Sequence, residues 1–121
     1  MTAILYVDDD PDIREIVEMA LGLDADISVR TCSSGADAVA VTETWRPDLI
    51  LLDFMMPVLD GPATLAALRR NPALVDVPVV YITARTAERD INSLMATGAA
   101  GVLAKPFNPL TLASECRQFL S

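Results

Sequence analysis

Charged and polar side chains stand directly after four short apolar runs of this chain, and their types fit one kind of chemistry. They are three aspartates, a threonine and a lysine, namely Asp8, Asp9, Asp53, Thr83 and Lys105. Carboxylates bind hard divalent cations, and a carboxylate can also attack a phosphoryl donor to form an acyl phosphate. A lysine and a hydroxyl can each contact a phosphoryl oxygen. These residues could therefore transfer a phosphoryl group if the fold brings them together.

Five short apolar runs, separated by helical patterns, predict the strands of one sheet. The runs cover residues 4–7, 27–29, 49–52, 79–82 and 102–104. Near-continuous apolar runs are typical of parallel strands buried on both faces. Right-handed crossovers then predict an α/β fold, a doubly wound three-layer (βα)5 sandwich with a parallel sheet in the order 2-1-3-4-5. Ligands in such sheets bind at the carboxyl ends of the strands, where the polar residues stand.

Helical patterns follow each of the five strands. The predicted helices run from Pro11 to Gly22, from Ser33 or Ser34 to about Trp45, from Gly61 until Asn71 closes it, from Thr86 to Ala96, and from near Asn108 to Leu120. Asp10 is expected to cap the first helix, whose core face would include Ile13, Ile16 and Val17. The fourth helix is the most polar, which predicts the weakest attachment to the core.

Composition and charge exclude several classes of function. The 121 residues fit one domain, 1–121, and carry a net charge of −8, whereas nucleic-acid binding needs clustered Lys and Arg. No apolar stretch approaches the roughly 20 residues of a membrane span, and the start runs into the first strand without a signal peptide. We therefore expect a cytoplasmic protein without direct nucleic-acid binding or membrane insertion. Cys32 and Cys116 lack metal-ligand spacing, so we expect them to be reduced small hydrophobic residues.

The acidic residues predict a cation site beside a nucleophile. Neighbouring first and third strands would place Asp8 and Asp9 beside Asp53, and three carboxylates in one pocket repel one another. Mg²⁺ would remove that conflict, because it needs only a couple of carboxylates and keeps several waters. Asp53 is the best candidate nucleophile, since it ends the most central run and precedes a tight loop containing Pro57 and Gly61. The chain contains no histidine, which excludes a His-dependent triad, zinc site or general base.

Four motifs in order resemble one known family over essentially the whole chain. They are ILYVDDD at 4–10, DFMMPVLDG at 53–61, VVYITA at 79–84 and GAAGVLAKPF at 98–107. With these motifs the chain resembles the receiver domain of bacterial two-component response regulators. The resemblance implies a flavodoxin/CheY-like fold and a role in a phosphorelay.

The resemblance also implies a role for each site residue. By this likeness, Asp53 is phosphorylated by a histidine kinase or histidine phosphotransfer protein, Lys105 bonds the phosphoryl group, and Thr83 moves to bond it. The Mg²⁺ ligands implied in the same way are Asp8, Asp9, Asp53 and the backbone carbonyl of Met55. The implied domain is a phospho-acceptor regulator rather than an enzyme, catalysing only its own phosphoryl transfer and hydrolysis. A cis peptide bond between Lys105 and Pro106 is implied as well.

We expect no output domain after the last helix, and we therefore expect any effect to be delivered through another protein. The family uses the fourth helix, fifth strand and fifth helix to bind targets or a second copy, so a downstream target protein or a homodimer is implied there.

Val102 departs from the family pattern, because receivers usually carry Tyr or Phe three residues before the lysine. We hypothesise that the signal leaves instead through the loop after Thr83 and the fourth helix.

Three classes of function are open at this point. The first is a switch controlled by phosphorylation. The second is a receiver-like interaction module that acts without phosphorylation, which Val102 leaves open and the intact site residues oppose. The third is an enzyme or cofactor protein of the same architecture. An aspartate-nucleophile phosphatase would have a second acid where Met55 stands, and the acidic residues 8–10 would repel the phosphate of FMN.

Overall fold

The five apolar runs form one five-stranded sheet in the computed structural model, which describes residues 1–120. The strands are β1 (Thr2–Val7), β2 (Ile27–Cys32), β3 (Leu49–Asp53), β4 (Val79–Thr83) and β5 (Gly101–Ala104). Their order is β2-β1-β3-β4-β5 and every pairing is parallel, so the predicted fold class is confirmed. Ser121, the last residue of the predicted domain, lies outside the described residues.

Helices connect the strands as the alternating pattern predicts. They are α1 (Pro11–Gly22), α2 (Gly35–Val41), α3 (Gly61–Leu68), α4 (Glu88–Met95) and α5 (Leu112–Arg117), with a short 3₁₀ helix at Pro72–Leu74. Asp10 caps α1 as predicted, since its side chain accepts the backbone N–H groups of Asp12 and Ile13. Asp60 caps α3 in the same way through the N–H of Ala63.

Four helices are shorter than predicted: α3 ends at Leu68 rather than at Asn71, α4 covers less than Thr86 to Ala96, and α2 and α5 differ as follows. α2 ends at Val41 rather than near Trp45, because the N–H of Glu43 donates to the carbonyl oxygen of Ala40, three residues back, and does not continue the α-helical pattern. α5 begins later than Asn108, because the Asn108 side chain accepts the N–H of Leu110 and holds a turn there. It also ends at Arg117, before the predicted end of the pattern.

Helices cover both faces of the sheet, which buries its central strands. All residues of β3 and β4 are buried. Residues of α1 and α5 pack on one face, and residues of α2, α3 and α4 pack on the other. Each face also buries one free thiol, Cys32 or Cys116, as expected of reduced cysteines.

The helices differ in how firmly they are attached. α1 buries Val17, Ala20 and Leu21, whereas Ile16, which was predicted to face the core, is 41% exposed. That prediction is wrong because Ile16 lies about a quarter turn from the centre of the buried stripe. Within α4, whose residues are all described, Leu94 alone is buried. The weak attachment predicted for the fourth helix is therefore confirmed, although α4 begins later than predicted.

The loop between β3 and α3 contains a strained residue close to the carboxyl edge of the sheet. The N–H of Gly61 donates to the carbonyl oxygen of Phe54 at 2.9 Å, which closes the loop on the strand end. The N–H of Leu59 donates to the carbonyl oxygen of Pro57 at 2.8 Å and closes a γ-turn around Val58. Val58 has a φ of 68° and an exposed side chain. A β-branched residue is strained at such a φ, because its Cβ crowds the backbone.

We expect Val58→Gly to stabilise the protein by about 1 kcal/mol. Relief of strain at a positive φ is worth roughly 1 to 3 kcal/mol, and the added freedom of glycine in the unfolded chain offsets part of it. Urea unfolding measures the change. Val75→Gly is the matched control, since Val75 is also exposed but has an α-helical φ of −60°, so this change should destabilise. Lower stability of Val58→Gly than of the parent would contradict the strain argument.

Candidate functional site

Three carboxylates meet at the carboxyl edge of the sheet. Asp8 and Asp9 directly follow β1, and Asp53 is the last residue of β3. The strands β1 and β3 are neighbours, with Val7 paired to Leu52, so their ends lie side by side. One oxygen from each carboxylate lies within 4.8 Å of the other two. Asp8 and Asp53 are buried, whereas Asp9 is exposed.

The carboxylate of Asp8 is fully buried and accepts three hydrogen bonds. Its Oδ2 accepts from the Tyr6 hydroxyl at 2.6 Å and from Lys105 Nζ at 3.2 Å. Its Oδ1 accepts from the backbone N–H of Asp10 at 2.9 Å. The Arg14 side chain donates to the backbone carbonyl of Asp8 at 2.8 Å. Side chain and backbone of Asp8 are therefore both held by donors from the protein.

Lys105 is the cation that the fold brings to the carboxylates. Its Nζ lies 3.2 Å from Oδ2 of Asp8 and 3.5 Å from Oδ1 of Asp53. Burial lowers the pKa of Lys105, but the carboxylates of Asp53 and Asp8 outweigh that effect and raise it above its ordinary value. The ammonium group is therefore charged at neutral pH. The peptide bond to Pro106 is cis, as the resemblance implies.

Thr83 lies at the same cleft, at the end of β4. It is buried, and its Oγ1 accepts the backbone N–H of Arg85 at 3.0 Å. The cleft has a volume of about 380 Å³, and its walls also include Met55 and the exposed Arg85. Every site residue predicted from the sequence lines this cleft, together with Asp10, Ala84 and Arg85.

The pKa of Asp53 reflects both its burial and the negative charge that Lys105 only partly neutralises. Burial, followed by the nearby carboxylate of Asp8, raises the pKa of Asp53 from 3.8 to about 6, although Lys105 lowers it. Burial and the hydrogen bond to Asp8 also raise the pKa of Tyr6 above its ordinary value. The Tyr6 hydroxyl therefore remains protonated and acts as a donor.

The residues present fit a magnesium ion. Their donors are carboxylate oxygens, which are the hard ligands that Mg²⁺ prefers, and the exposure of Asp9 leaves room for waters. Burial, followed by the carboxylate of Asp8, raises the pKa of Asp53, and a divalent cation would relieve the part that comes from Asp8. Asp8, Asp9 and Asp53 would hold the ion, and it would neutralise charge on phosphoryl oxygens.

Sequence reasoning missed two residues that hold Asp8. Tyr6 was assigned only to an apolar strand, and Arg14 was not singled out. Alternate residues of a strand point to the same face, so a tyrosine two positions before Asp8 on β1 was a usable signal. No comparable signal identifies Arg14, because its contact depends on how the first turn of α1 packs against the end of β1.

Val102 lies on β5 beside the site rather than in it. Its partner on β4 is Tyr81, a fully buried residue whose hydroxyl is 2.8 Å from the hydroxyl of Thr97. Val102 is partly buried and packs against the cluster that contains Tyr81. The aromatic ring beside Val102 is therefore that of Tyr81, on the neighbouring strand β4.

The sequence is similar to that of one protein family over nearly its whole length. Residues 4–117 match the response regulator receiver domain. The chain belongs to this family. This match confirms the resemblance drawn from the four motifs. A receiver domain is a signalling domain of two-component systems rather than a classical enzyme.

Named relatives of this receiver domain are regulatory proteins. The response regulator Rre1 of Synechocystis sp. is 34% identical over 119 residues, which are 98% of this chain and 52% of the relative. The transcriptional regulatory protein PrrA of Mycobacterium tuberculosis is 38% identical over 117 residues, 97% of this chain and 49% of the relative. The receiver domain thus spans about half the length of these curated relatives.

Solved structures agree with the fold. The chemotaxis response regulator CheY4 of Vibrio cholerae has a TM-score of 0.92 and 35% identity, with 99% of both chains covered. Among residues 1–120, no helix has the length and apolar character that crossing a bilayer requires.

We expect Asp53→Asn to stabilise the metal-free receiver domain at pH 7 by about 1 to 3 kcal/mol. The folded-state pKa of Asp53, about 6, lies above the value of 3.8 for a free carboxyl group. Ionisation of Asp53 therefore removes stability from the parent as the pH rises from about 4 through 6, at about 1.4 kcal/mol per pKa unit. Asparagine does not ionise, so the difference between variant and parent should be small at pH 4.

Urea unfolding in the presence of a chelator, at pH 4 and pH 7, measures this difference. Asp26→Asn is the control, because Asp26 is exposed at the opposite edge of the sheet. Equal stabilities of Asp53→Asn and the parent at pH 7 would rule out the destabilising charge.

Proposed function

We propose that this receiver domain is a phosphorylation-controlled switch in which Asp53 accepts a phosphoryl group from a histidine kinase or histidine phosphotransfer protein. The supporting observation is the arrangement at Asp53: a buried carboxylate with a raised pKa, 3.5 Å from a charged lysine, in an open cleft. The proposed receiver unit covers residues 1–121 and acts in the cytoplasm, where ATP-dependent kinases act.

The proposed reaction is a transfer between two nucleophiles. An Asp53 oxygen forms the new bond to phosphorus, and the bond from phosphorus to the imidazole nitrogen of the donor breaks. That nitrogen keeps the bonding electron pair and takes up a proton. Such a transfer needs in-line positioning and neutralisation of charge more than covalent help from the protein. Lys105 supplies part of the neutralisation, because it already lies between Asp8 and Asp53.

The proposed metal is Mg²⁺, held by Asp8, Asp9, Asp53 and the backbone carbonyl of Met55. The cluster of three carboxylates and the position of Met55 at the cleft support this ligand set. Four aspartates line the cleft against Lys105 and Arg85, so its net charge is negative and an anionic phosphoryl group would be repelled without further positive charge.

Phosphorylation adds a charge of about −1.5 to −2 at Asp53, and the chain must respond to it. Thr83 is the proposed sensor, since its hydroxyl is buried at the cleft and can turn its proton toward a phosphoryl oxygen. Its Oγ1 accepts the N–H of Arg85, so movement of Thr83 would move the loop that follows. That loop leads into the weakly attached α4.

The surface formed by α4, β5 and α5 is the proposed site for a downstream target protein or a second copy of the domain. The weak attachment of α4 supports this choice, because a helix with one buried side chain can shift at low cost. No direct contact with nucleic acid is proposed for the receiver domain, whose sequence carries a net charge of −8. RpaA of Synechocystis sp. is named a DNA-binding regulator, and this chain spans 49% of it.

The acceptor is tested by intact mass after incubation with acetyl phosphate and Mg²⁺. We expect the parent to gain one phosphoryl group and Asp53→Asn to gain none, because the amide lacks the nucleophilic oxygen. Asp26→Asn, a control at the opposite edge of the sheet, should gain it like the parent. A folded parent that stays unmodified would instead favour an interaction module that acts without phosphorylation.

The route of the signal is tested by hydrogen exchange on the parent with and without acetyl phosphate. We expect amide protection to change in residues 84–96, because this segment contacts Thr83 and has few buried side chains. Asp53→Asn treated with the same donor controls for effects of the reagent. Unchanged exchange across 84–96 in phosphorylated protein would contradict the proposed route.

A further inference from the structure

We propose that Tyr6 is a positioning residue of the phosphoryl-transfer site, whose hydroxyl holds the Asp8 carboxylate in the orientation that binds Mg²⁺. This inference rests on the proposed function, because it assigns Tyr6 to the same cation site. Tyr6 acts through Asp8 and does not line the cleft itself.

The contact has the geometry of a strong hydrogen bond. The Tyr6 hydroxyl lies 2.6 Å from Asp8 Oδ2, within the range for a hydroxyl bonded to a carboxylate. Tyr6 and Asp8 are both fully buried, so water does not compete for either group. The two residues stand two positions apart, which places their side chains on one face of the sheet. Strand geometry therefore fixes the hydroxyl relative to the carboxylate.

The other side-chain donor to Asp8 is shared. Lys105 Nζ bonds Asp8 Oδ2 at 3.2 Å but also lies 3.5 Å from Asp53. A phosphoryl group on Asp53 would attract the lysine further, which weakens its hold on Asp8. A buried carboxylate without donors is costly, and a free one can rotate. Among residues 1–120 the Tyr6 hydroxyl bonds Asp8 alone, so it can keep Asp8 in place if Lys105 moves.

A neutral donor suits this task better than a second cation would. A positive side chain at position 6 would cancel the charge of Asp8 and weaken its attraction for Mg²⁺. A hydroxyl fixes the carboxylate and leaves its charge in place. Partners that orient metal ligands in this way typically contribute about tenfold or more to metal affinity.

The test is Tyr6→Phe, which removes one oxygen and keeps the ring, with Tyr81→Phe as the matched control. Tyr81 is the other tyrosine of the chain; it is fully buried on the opposite face of the sheet and bonds Thr97. We expect calorimetric titration with Mg²⁺ to give a Kd about tenfold higher for Tyr6→Phe and within about twofold of the parent for Tyr81→Phe. Urea unfolding of both variants accounts for the stability lost with a buried hydroxyl.

A second measurement is made on the parent protein, and the variants serve only to assign its signals. In protein labelled with ¹³C at tyrosine Cζ, each Phe variant assigns the remaining signal, since the chain has two tyrosines. We expect saturating Mg²⁺ to shift the Tyr6 signal and to leave the Tyr81 signal in place.

The inference is overturned if Tyr6→Phe binds Mg²⁺ within twofold of the parent, if the Tyr6 signal does not respond, or if the parent binds no Mg²⁺. None of these readouts depends on phosphorylation. Failure of the parent to gain a phosphoryl group would overturn the proposed function by itself, and the metal titrations would still decide the role of Tyr6.

Discussion

The packing of three carboxylates at the edge of an apolar sheet is the constraint on which the rest of the structure depends. Parallel pairing of β1 and β3 brings Asp8 and Asp9 to Asp53, and helices on both faces exclude water from two of the three. Low local polarity strengthens the repulsion between them. Burial of Asp53, followed by this repulsion from Asp8, raises the pKa of Asp53. A site built in this way fits a bound cation, which would offset the remaining negative charge.

The protein offsets part of this repulsion with hydrogen-bond donors close to Asp8 and part with the ammonium group of Lys105. Tyr6 and the N–H of Asp10 hold Asp8 from the strand and from the first turn of α1. Lys105 comes from beyond β5, across the end of β4, and reaches both buried carboxylates. Rigid donors preserve geometry, whereas a long flexible side chain can follow a change of charge. This arrangement suits the proposed switch, in which the site would bind a cation, accept a phosphoryl group and then change shape.

The proposed output surface includes α4, which is attached more loosely than the strands that carry the site. β3 and β4 are buried throughout, but α4 is attached by one buried leucine. The two regions meet at Thr83, which ends β4 and bonds the loop before α4. Val102 has no ring that could move, and the neighbouring face holds Tyr81 bonded to Thr97. Local packing therefore favours the β4–α4 segment as the part of the chain that changes.

The sequence by itself determined the strands, the sheet order and the membership of the acidic cleft. These follow from local patterns, because apolar runs identify buried parallel strands and the residues after them must meet at one edge. Only the tertiary structure decided the ends of α2 and α5, the exposure of Ile16, and the contacts of Tyr6 and Arg14 with Asp8. Those features depend on which groups lie within hydrogen-bonding or packing distance of one another once the helices and strands have packed. Hydrophobic periodicity records which face is buried, but not the partner that each polar atom finds there.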